Sequence, residues 1–148
     1  MKPVNSQREE WLIVSAECHI TNAQYQARRR AAQLGFEPNI CYHIATAVSE
    51  LVTNLLRHAG GGEILIRDIY ADSSQGIEII SLDHGPGIAD INLALREGFS
   101  TSGGLGGGLP GIRRLMDELW ITSELGRGTR VITRKWLRVK SLGKKYAC

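Results

Sequence analysis

The residues best suited to do chemistry begin with a glycine-rich run that leads into a predicted helix. Six of the nine positions in 103–111 are glycine, a helical pattern follows over 112–119, and Pro110 suits a first helical turn. A loop of this kind offers bare backbone N–H groups to a phosphate at the start of a helix. The run therefore predicts a phosphate or nucleotide site.

Two polar side chains upstream add a second possibility for chemistry. Glu50 and Asn54 lie four residues apart, so they share a helix face that is separate from the apolar stripe around Val48 and Leu51. A carboxylate there could act as a general base, and a carboxamide oxygen could hold a divalent cation. Taken alone, such a pair is more typical of a solvated polar face.

Two shorter glycine motifs accompany predicted strands. Asp83-x-Gly85-x-Gly87 follows an apolar strand, and Gly126-x-Gly128-Thr129 precedes the last strand. A carboxylate at a strand end can accept a hydrogen bond from an adenine amino group, and glycines let the backbone close around a flat base. Taken singly, each motif is also an ordinary turn.

Two common nucleotide motifs do not fit the chain. Gly106-x-Gly108-x-x-Gly111 matches the dinucleotide fingerprint in spacing, but no strand runs into it and no alternating strand–helix units surround it. A phosphate loop of the Gly-Lys-Ser/Thr kind is excluded, because no such triplet follows a glycine loop.

The elements that must position these residues follow from periodicity and breakers. The patterns predict helices from 21 or 22 to 34 and over 38–59, 90–96 and 112–119, and strands over 11–16, 63–70, 77–82, 120–124 and 129–139. Adjacent strands joined by tight turns predict an α+β fold. We expect a two-layer sandwich whose mixed, mostly antiparallel sheet carries the helices on one face.

Length and composition indicate the domain organisation and the class of the protein. The 148 residues predict one domain, with a core over about 8–138 and a basic tail over 139–148. No apolar run approaches the roughly 20 residues that cross a bilayer. Since the N-terminus also lacks an apolar signal core, a cytoplasmic location is expected. The three cysteines show no CxxC spacing, which argues against a disulfide framework or a zinc site.

Charge is unevenly distributed along the chain. Residues 127–148 contain eight basic and no acidic side chains, whereas ten basic and fifteen acidic residues precede them. A basic segment can bind nucleic acid, but this one has few interleaved aromatics. A solvated strand edge with a frayed tail, or a docking patch for an acidic protein, is the favoured interpretation.

Together and in this order, the four motifs resemble the N, G1, G2 and G3 boxes of the GHKL, or Bergerat-fold, ATPases. The resemblance covers about residues 11–137. The short chain and the segment 98–111 look most like the small serine/threonine kinases of partner-switching modules, the stressosome switch kinases. The related anti-sigma kinases often carry an arginine just before the lid glycines, where Ser102 stands here. That departure leaves open which cation meets the γ-phosphate.

The resemblance implies ATP and Mg²⁺ as cofactors and a role for each motif. Glu50 would orient or deprotonate the attacking hydroxyl, Asn54 would hold Mg²⁺, and Asp83 would accept from the adenine amino group. The remaining implied nucleotide contacts are the floor and closing residues of the base pocket, Gly85, Gly87, Gly128 and Thr129, and an ATP lid formed by Ser102, Gly103, Gly104, Leu105, Gly106, Gly107 and Gly108. His58 shares the site face, where a phosphate contact and a structural role both stay open.

The resemblance also implies protein partners. The phosphate acceptor would be a serine or threonine of a STAS-domain protein of the RsbS or RsbR kind. The freed kinase would then activate a PP2C-type phosphatase of the RsbU kind. Two alternatives stay open: an anti-sigma factor kinase that sequesters a sigma factor, and a nucleotide-gated adaptor without phosphate transfer.

Overall fold

The computed structural model describes residues 1–96 and 108–138, which form a five-stranded sheet and four helices. In chain order the elements are β1 (Asn5–Val14), α1 (His19–Leu34), α2 (Pro38–Ala59), β2 (Gly62–Ala71), β3 (Ser74–Leu82), α3 (Ile91–Ala94), α4 (Gly108–Leu115), β4 (Glu118–Glu124) and β5 (Gly128–Trp136). The strands lie in the order β1-β2-β3-β5-β4. All four pairings among these strands are antiparallel. The predicted α+β class is confirmed, and no parallel pair occurs among the described strands.

Proline and glycine set the helix ends as predicted. Pro38 lies in the first turn of α2, where its missing N–H costs no helical hydrogen bond. Gly35 and Gly60 close α1 and α2 in the left-handed conformation, with φ values of 102° and 72°. The hairpin of β2 and β3 is also confirmed, with Ala71 opposite Ser74.

Among the predicted boundaries that are wrong, two are explained by tertiary pairing. The strand predicted over 11–16 begins at Asn5, because a bulge between Gln7 and Glu10 lets the charged early residues continue the pairing with β2. The helix predicted over 112–119 ends at Leu115, and Glu118 already pairs with Arg134 of β5. In both places the sheet register overrides the local pattern.

All four helices contribute to one core on one face of the sheet. That core is built around α2, whose buried residues include Ile44, Val48 and Leu51, each no more than 1% exposed. Alternate residues of the strands complete it, among them Ile64, Ile66, Ile77, Ile79 and Val131. No helix of the described residues is long and apolar enough to span a membrane.

A buried ion pair ties α1 to the sheet. Asp68 of β2 is fully buried, and its Oδ1 accepts a hydrogen bond of 3.1 Å from Nη1 of Arg30, which is 8% exposed. Arg30 also donates to the backbone oxygen of Arg8, in the bulge of β1. Arg30 and Asp68 therefore fix the position of α1 against β1 and β2.

We expect Arg30→Ala to destabilise the protein strongly, because buried Asp68 then keeps only the exposed Arg8, whose Nη1 lies 3.8 Å from Oδ2. Breaking a buried pair in this way costs about 3–5 kcal/mol of unfolding free energy. Lys2→Ala is the control, since Lys2 and Asp72 form an exposed pair of 2.6 Å. Urea denaturation should give a much lower midpoint for Arg30→Ala and an unchanged one for Lys2→Ala. Equal midpoints for the two variants would contradict this role of Arg30.

Candidate nucleotide-binding site

A cavity of about 220 Å³ opens between α2, the end of β3, the start of α4 and β5. Six residues that the sequence singled out line it: Asn54, His58, Asp83, Gly87, Gly108 and Thr129. Apolar side chains form much of the remaining wall, including Leu51, Leu55, Ile88, Leu109 and Val131. The cavity thus combines apolar walls with a few polar groups, as small-molecule sites do.

The carboxylate of Asp83 holds two turns of the chain together at one end of the cavity. Its Oδ1 accepts hydrogen bonds from the backbone N–H of Gly85, at 2.9 Å, and of Thr129, at 3.1 Å. The backbone N–H of Asp83 in turn donates to the oxygen of Thr129 at 3.0 Å. Because both side-chain bonds use Oδ1, the carboxylate is oriented and Oδ2 is the oxygen that could accept from a ligand.

Glycine is required where these turns meet. Gly128 has a φ of 130°, and a Cβ there would collide with the backbone oxygen of Asp83. Gly87 has a φ of 80°, and a Cβ there would lie 2.6 Å from the backbone oxygen of Glu124. Both positions therefore combine a left-handed backbone with a close approach of the facing chain.

Ser123 of β4 belongs to the same junction, and sequence reasoning missed it. Its Oγ accepts from the N–H of Ile88 at 2.7 Å and lies 2.9 Å from Oγ1 of Thr129. No local motif marks Ser123. Only the pairing of β4 with β5, which puts Ser123 opposite Thr129, brings it to the site.

The opposite end of the cavity is built by α2 and α4. Asn54 is half-buried in the wall, and the exposed His58 lines the wall one turn further on. Glu50 is only 5% exposed, and its Oε2 accepts a hydrogen bond of 3.1 Å from the backbone N–H of Gly108. A carboxylate at this position satisfies a free N–H of the α4 N-terminus and complements the helix dipole.

Part of the predicted site lies outside the described residues. The expected lid positions Ser102, Gly103, Gly104, Leu105, Gly106 and Gly107 fall there, as does the tail over 139–148. Within residues 1–96 and 108–138, no group of three or more His, Cys, Asp or Glu side chains is arranged to hold a metal by itself.

Comparison with known proteins assigns the class. Residues 42–139 match the family described as histidine kinase-, DNA gyrase B- and HSP90-like ATPase. The chain belongs to this family, whose members use a nucleotide. The predicted membership of the GHKL ATPase family is confirmed.

Individual relatives narrow the comparison. Serine/threonine-protein kinase RsbT of Bacillus subtilis (strain 168) is 45% identical over 125 residues, which cover 84% of this chain and 94% of that protein. The narrower resemblance to the small partner-switching kinases is thereby confirmed. An anti-sigma F factor of Caldanaerobacter subterraneus subsp. tengcongensis is 38% identical over 113 residues, covering 72% of this chain and 78% of that protein.

A solved structure supports the fold. A crystal structure of the RsbU and RsbW domains of a Mycobacterium tuberculosis protein superposes with a TM-score of 0.59 and 18% identity, covering 90% of this chain and 34% of that one. At this identity the likeness concerns the fold alone, which is the α+β sandwich described above.

We expect Gly128→Ala to damage the site far more than Gly126→Ala. Both glycines have positive φ, but a Cβ at Gly126 meets nothing within 4 Å, whereas one at Gly128 meets Asp83. Gly126→Ala should cost only the left-handed penalty of about 1–2 kcal/mol. Thermal unfolding and ATP titration should show lower stability and weaker binding for Gly128→Ala. Similar behaviour of the two variants would contradict the tight junction at Asp83.

Proposed function

We propose that the protein is an ATP-dependent serine/threonine kinase whose nucleotide state also controls its protein partners. The observation that carries the proposal is the cavity that has Asp83 at one end and Asn54 and the Glu50–Gly108 contact at the other. The similarity to a named serine/threonine-protein kinase over most of both chains supports it.

The end of the cavity at Asp83 suits the adenine base. With Oδ1 fixed by two backbone N–H groups, Oδ2 can accept from the exocyclic amino group of adenine. Leu55, Ile88 and Val131 offer apolar surface to the flat faces of the ring. Gly87 and Thr129 border the same region, which agrees with their predicted roles in closing around the base.

The end of the cavity at α2 suits the phosphates. Asn54 carries a side-chain oxygen in the wall, and Mg²⁺ commonly binds proteins through one or two such oxygens together with substrate phosphates. The donor set therefore fits Mg²⁺, which would neutralise phosphate charge when bound. The N-terminus of α4 at Gly108 adds a positive dipole end to this side.

Glu50 is the residue that we propose to receive the proton of the attacking hydroxyl. Its contact with Gly108 fixes the carboxylate beside the start of α4, where the predicted lid ends. Phosphate transfer needs little covalent chemistry from the protein, so positioning of the hydroxyl and charge neutralisation account for most of the catalysis.

The proposed partners follow from the resemblance to the switch kinases. The acceptor would be a serine or threonine of a STAS-domain protein of the RsbS or RsbR kind. Release from that partner would let the kinase activate a PP2C-type phosphatase of the RsbU kind.

A second candidate is an anti-sigma factor kinase, favoured by the 38% identity to an anti-sigma F factor. The same fold and cavity would serve both functions. A pull-down with the protein as bait and sigma factors as prey distinguishes the two candidates. Only an anti-sigma factor kinase should retain a sigma factor, and it should do so in an ATP-dependent manner. A nucleotide-gated adaptor would bind ATP and transfer no phosphate to any STAS-domain protein.

We expect Asp83→Asn to weaken ATP binding without disturbing the turns. The amide oxygen can still accept from Gly85 and Thr129, but an NH₂ group replaces Oδ2 and faces the adenine amino group. Two opposed donors cost about 1–3 kcal/mol, which corresponds to roughly a 5- to 150-fold higher Kd. Isothermal titration calorimetry with ATP measures this change in Kd.

Asp90→Asn is the matched control, because Asp90 is exposed and its Oδ1 caps α3 through Leu93. The same substitution chemistry there should leave the Kd for ATP unchanged. An unchanged Kd for ATP in Asp83→Asn would contradict the placement of the adenine base beside Asp83.

We expect Glu50→Gln to separate catalysis from structure. Glutamine keeps an oxygen for the Gly108 N–H but cannot take a proton, so ATP should bind normally. Transfer of labelled γ-phosphate to a STAS-domain protein should fall by about 10²- to 10⁴-fold, as expected for loss of a general base.

Glu50→Ala completes the comparison, since it removes both the base and the hydrogen bond to α4. It should lower the transfer rate and also weaken ATP binding. Near-normal transfer by Glu50→Gln would mean that Glu50 serves only to cap α4.

A further inference from the structure

Ser81 has a hydroxyl in the cavity wall that the roles described above do not use. The residue is 4% exposed and lines the cavity two positions before Asp83. Among the residues that the structure describes, its hydroxyl has no hydrogen-bond partner. The nearby hydroxyl of Thr129, in contrast, pairs with Ser123 at 2.9 Å.

The position of Ser81 in β3 makes this unusual. Strand side chains alternate between faces, so Ser81 shares the helix-facing side with Ile77 and Ile79, both fully buried in the core. A hydroxyl without a partner in the protein keeps its full hydrogen-bonding capacity. Because Ser81 lines the cavity, that capacity is open to a molecule that enters the cavity.

We propose that Ser81 is a specificity residue that donates a hydrogen bond to a ring nitrogen of the bound adenine. The inference rests on the proposed function, since it assumes that Asp83 accepts from the adenine amino group. The amino group of adenine is flanked on each edge of the base by a ring nitrogen that can only accept. A donor two positions before the Asp83 acceptor, in the wall of the same cavity, can match that adjacent donor–acceptor pair.

This pairing is directional. Asp83 can only accept while ionised, whereas the Ser81 hydroxyl can donate, so the two together complement an amino group beside a ring nitrogen. Guanine places a carbonyl oxygen where adenine has its amino group, and that oxygen would face the Asp83 carboxylate. Ser81 would therefore strengthen the binding of ATP specifically.

Ser81→Ala tests the inference, with Ser74→Ala as the matched control at an exposed position of the same strand. In the full chain we expect Ser81→Ala to raise the Kd for ATP about five-fold, the worth of one hydrogen bond. The nucleotide-free variant should be about as stable as the wild type, because no hydrogen bond within the protein is lost. A merely structural role would not give weaker binding together with undiminished stability.

Two ATP analogues identify the contacted atom: 1-deaza-ATP and 7-deaza-ATP, in which C–H replaces one ring nitrogen. For the analogue that lacks the contacted nitrogen, wild type and Ser81→Ala should bind equally, while the five-fold difference persists for the other. An unchanged Kd for ATP in Ser81→Ala, or the same loss with ATP and both analogues, would overturn the inference. Failure of the wild type to bind ATP at all would instead contradict the proposed function.

Discussion

The carboxylate of Asp83 is the contact on which the cavity depends. One of its oxygens accepts from the N–H groups of both Gly85 and Thr129, which lie on separate turns of the chain. These turns meet because β3 and β5 are paired, with Leu82 opposite Arg130 at the end of the ladder. The same carboxylate closes the wall of the cavity and leaves its second oxygen without either of these two bonds. The proposed function therefore gives this one group both a structural and a binding role.

The hydrogen bond between Glu50 and Gly108 fixes the other end of the cavity. Glu50 projects from a helix whose apolar side is buried against the sheet, so its carboxylate cannot move far, and it accepts from the first residue of α4. The segment that precedes α4 belongs to the glycine-rich run over 103–111. A change at the nucleotide would thus reach the start of α4 through Glu50, and a partner that contacts this region could sense it. That link would join the catalytic and switching roles of the proposed function.

Local signals predicted much of this arrangement. Gly35, Pro38 and Gly60 fixed the helix ends because backbone preference alone decides them, and the motifs identified Asn54, Asp83 and Thr129, which the structure brings to one cavity. The start of β1, the end of α4 and the role of Ser123 could not be predicted, since each depends on strand pairing between distant segments. Ser81 was missed for the same reason: its burial follows from the sheet register. The lid positions 102–107 and the role of Mg²⁺ stay predictions.

The central claim is that ATP occupies this cavity with its base at Asp83. An amide NMR titration of the whole chain with ATP and Mg²⁺ tests it most directly. We expect the largest shift changes at Gly85 and Thr129, whose N–H groups share the Asp83 carboxylate, and at Gly108 beside Glu50. Changes confined to the opposite face of the sheet, around Trp120 and Ile132, or no changes at any of these amides, would contradict it.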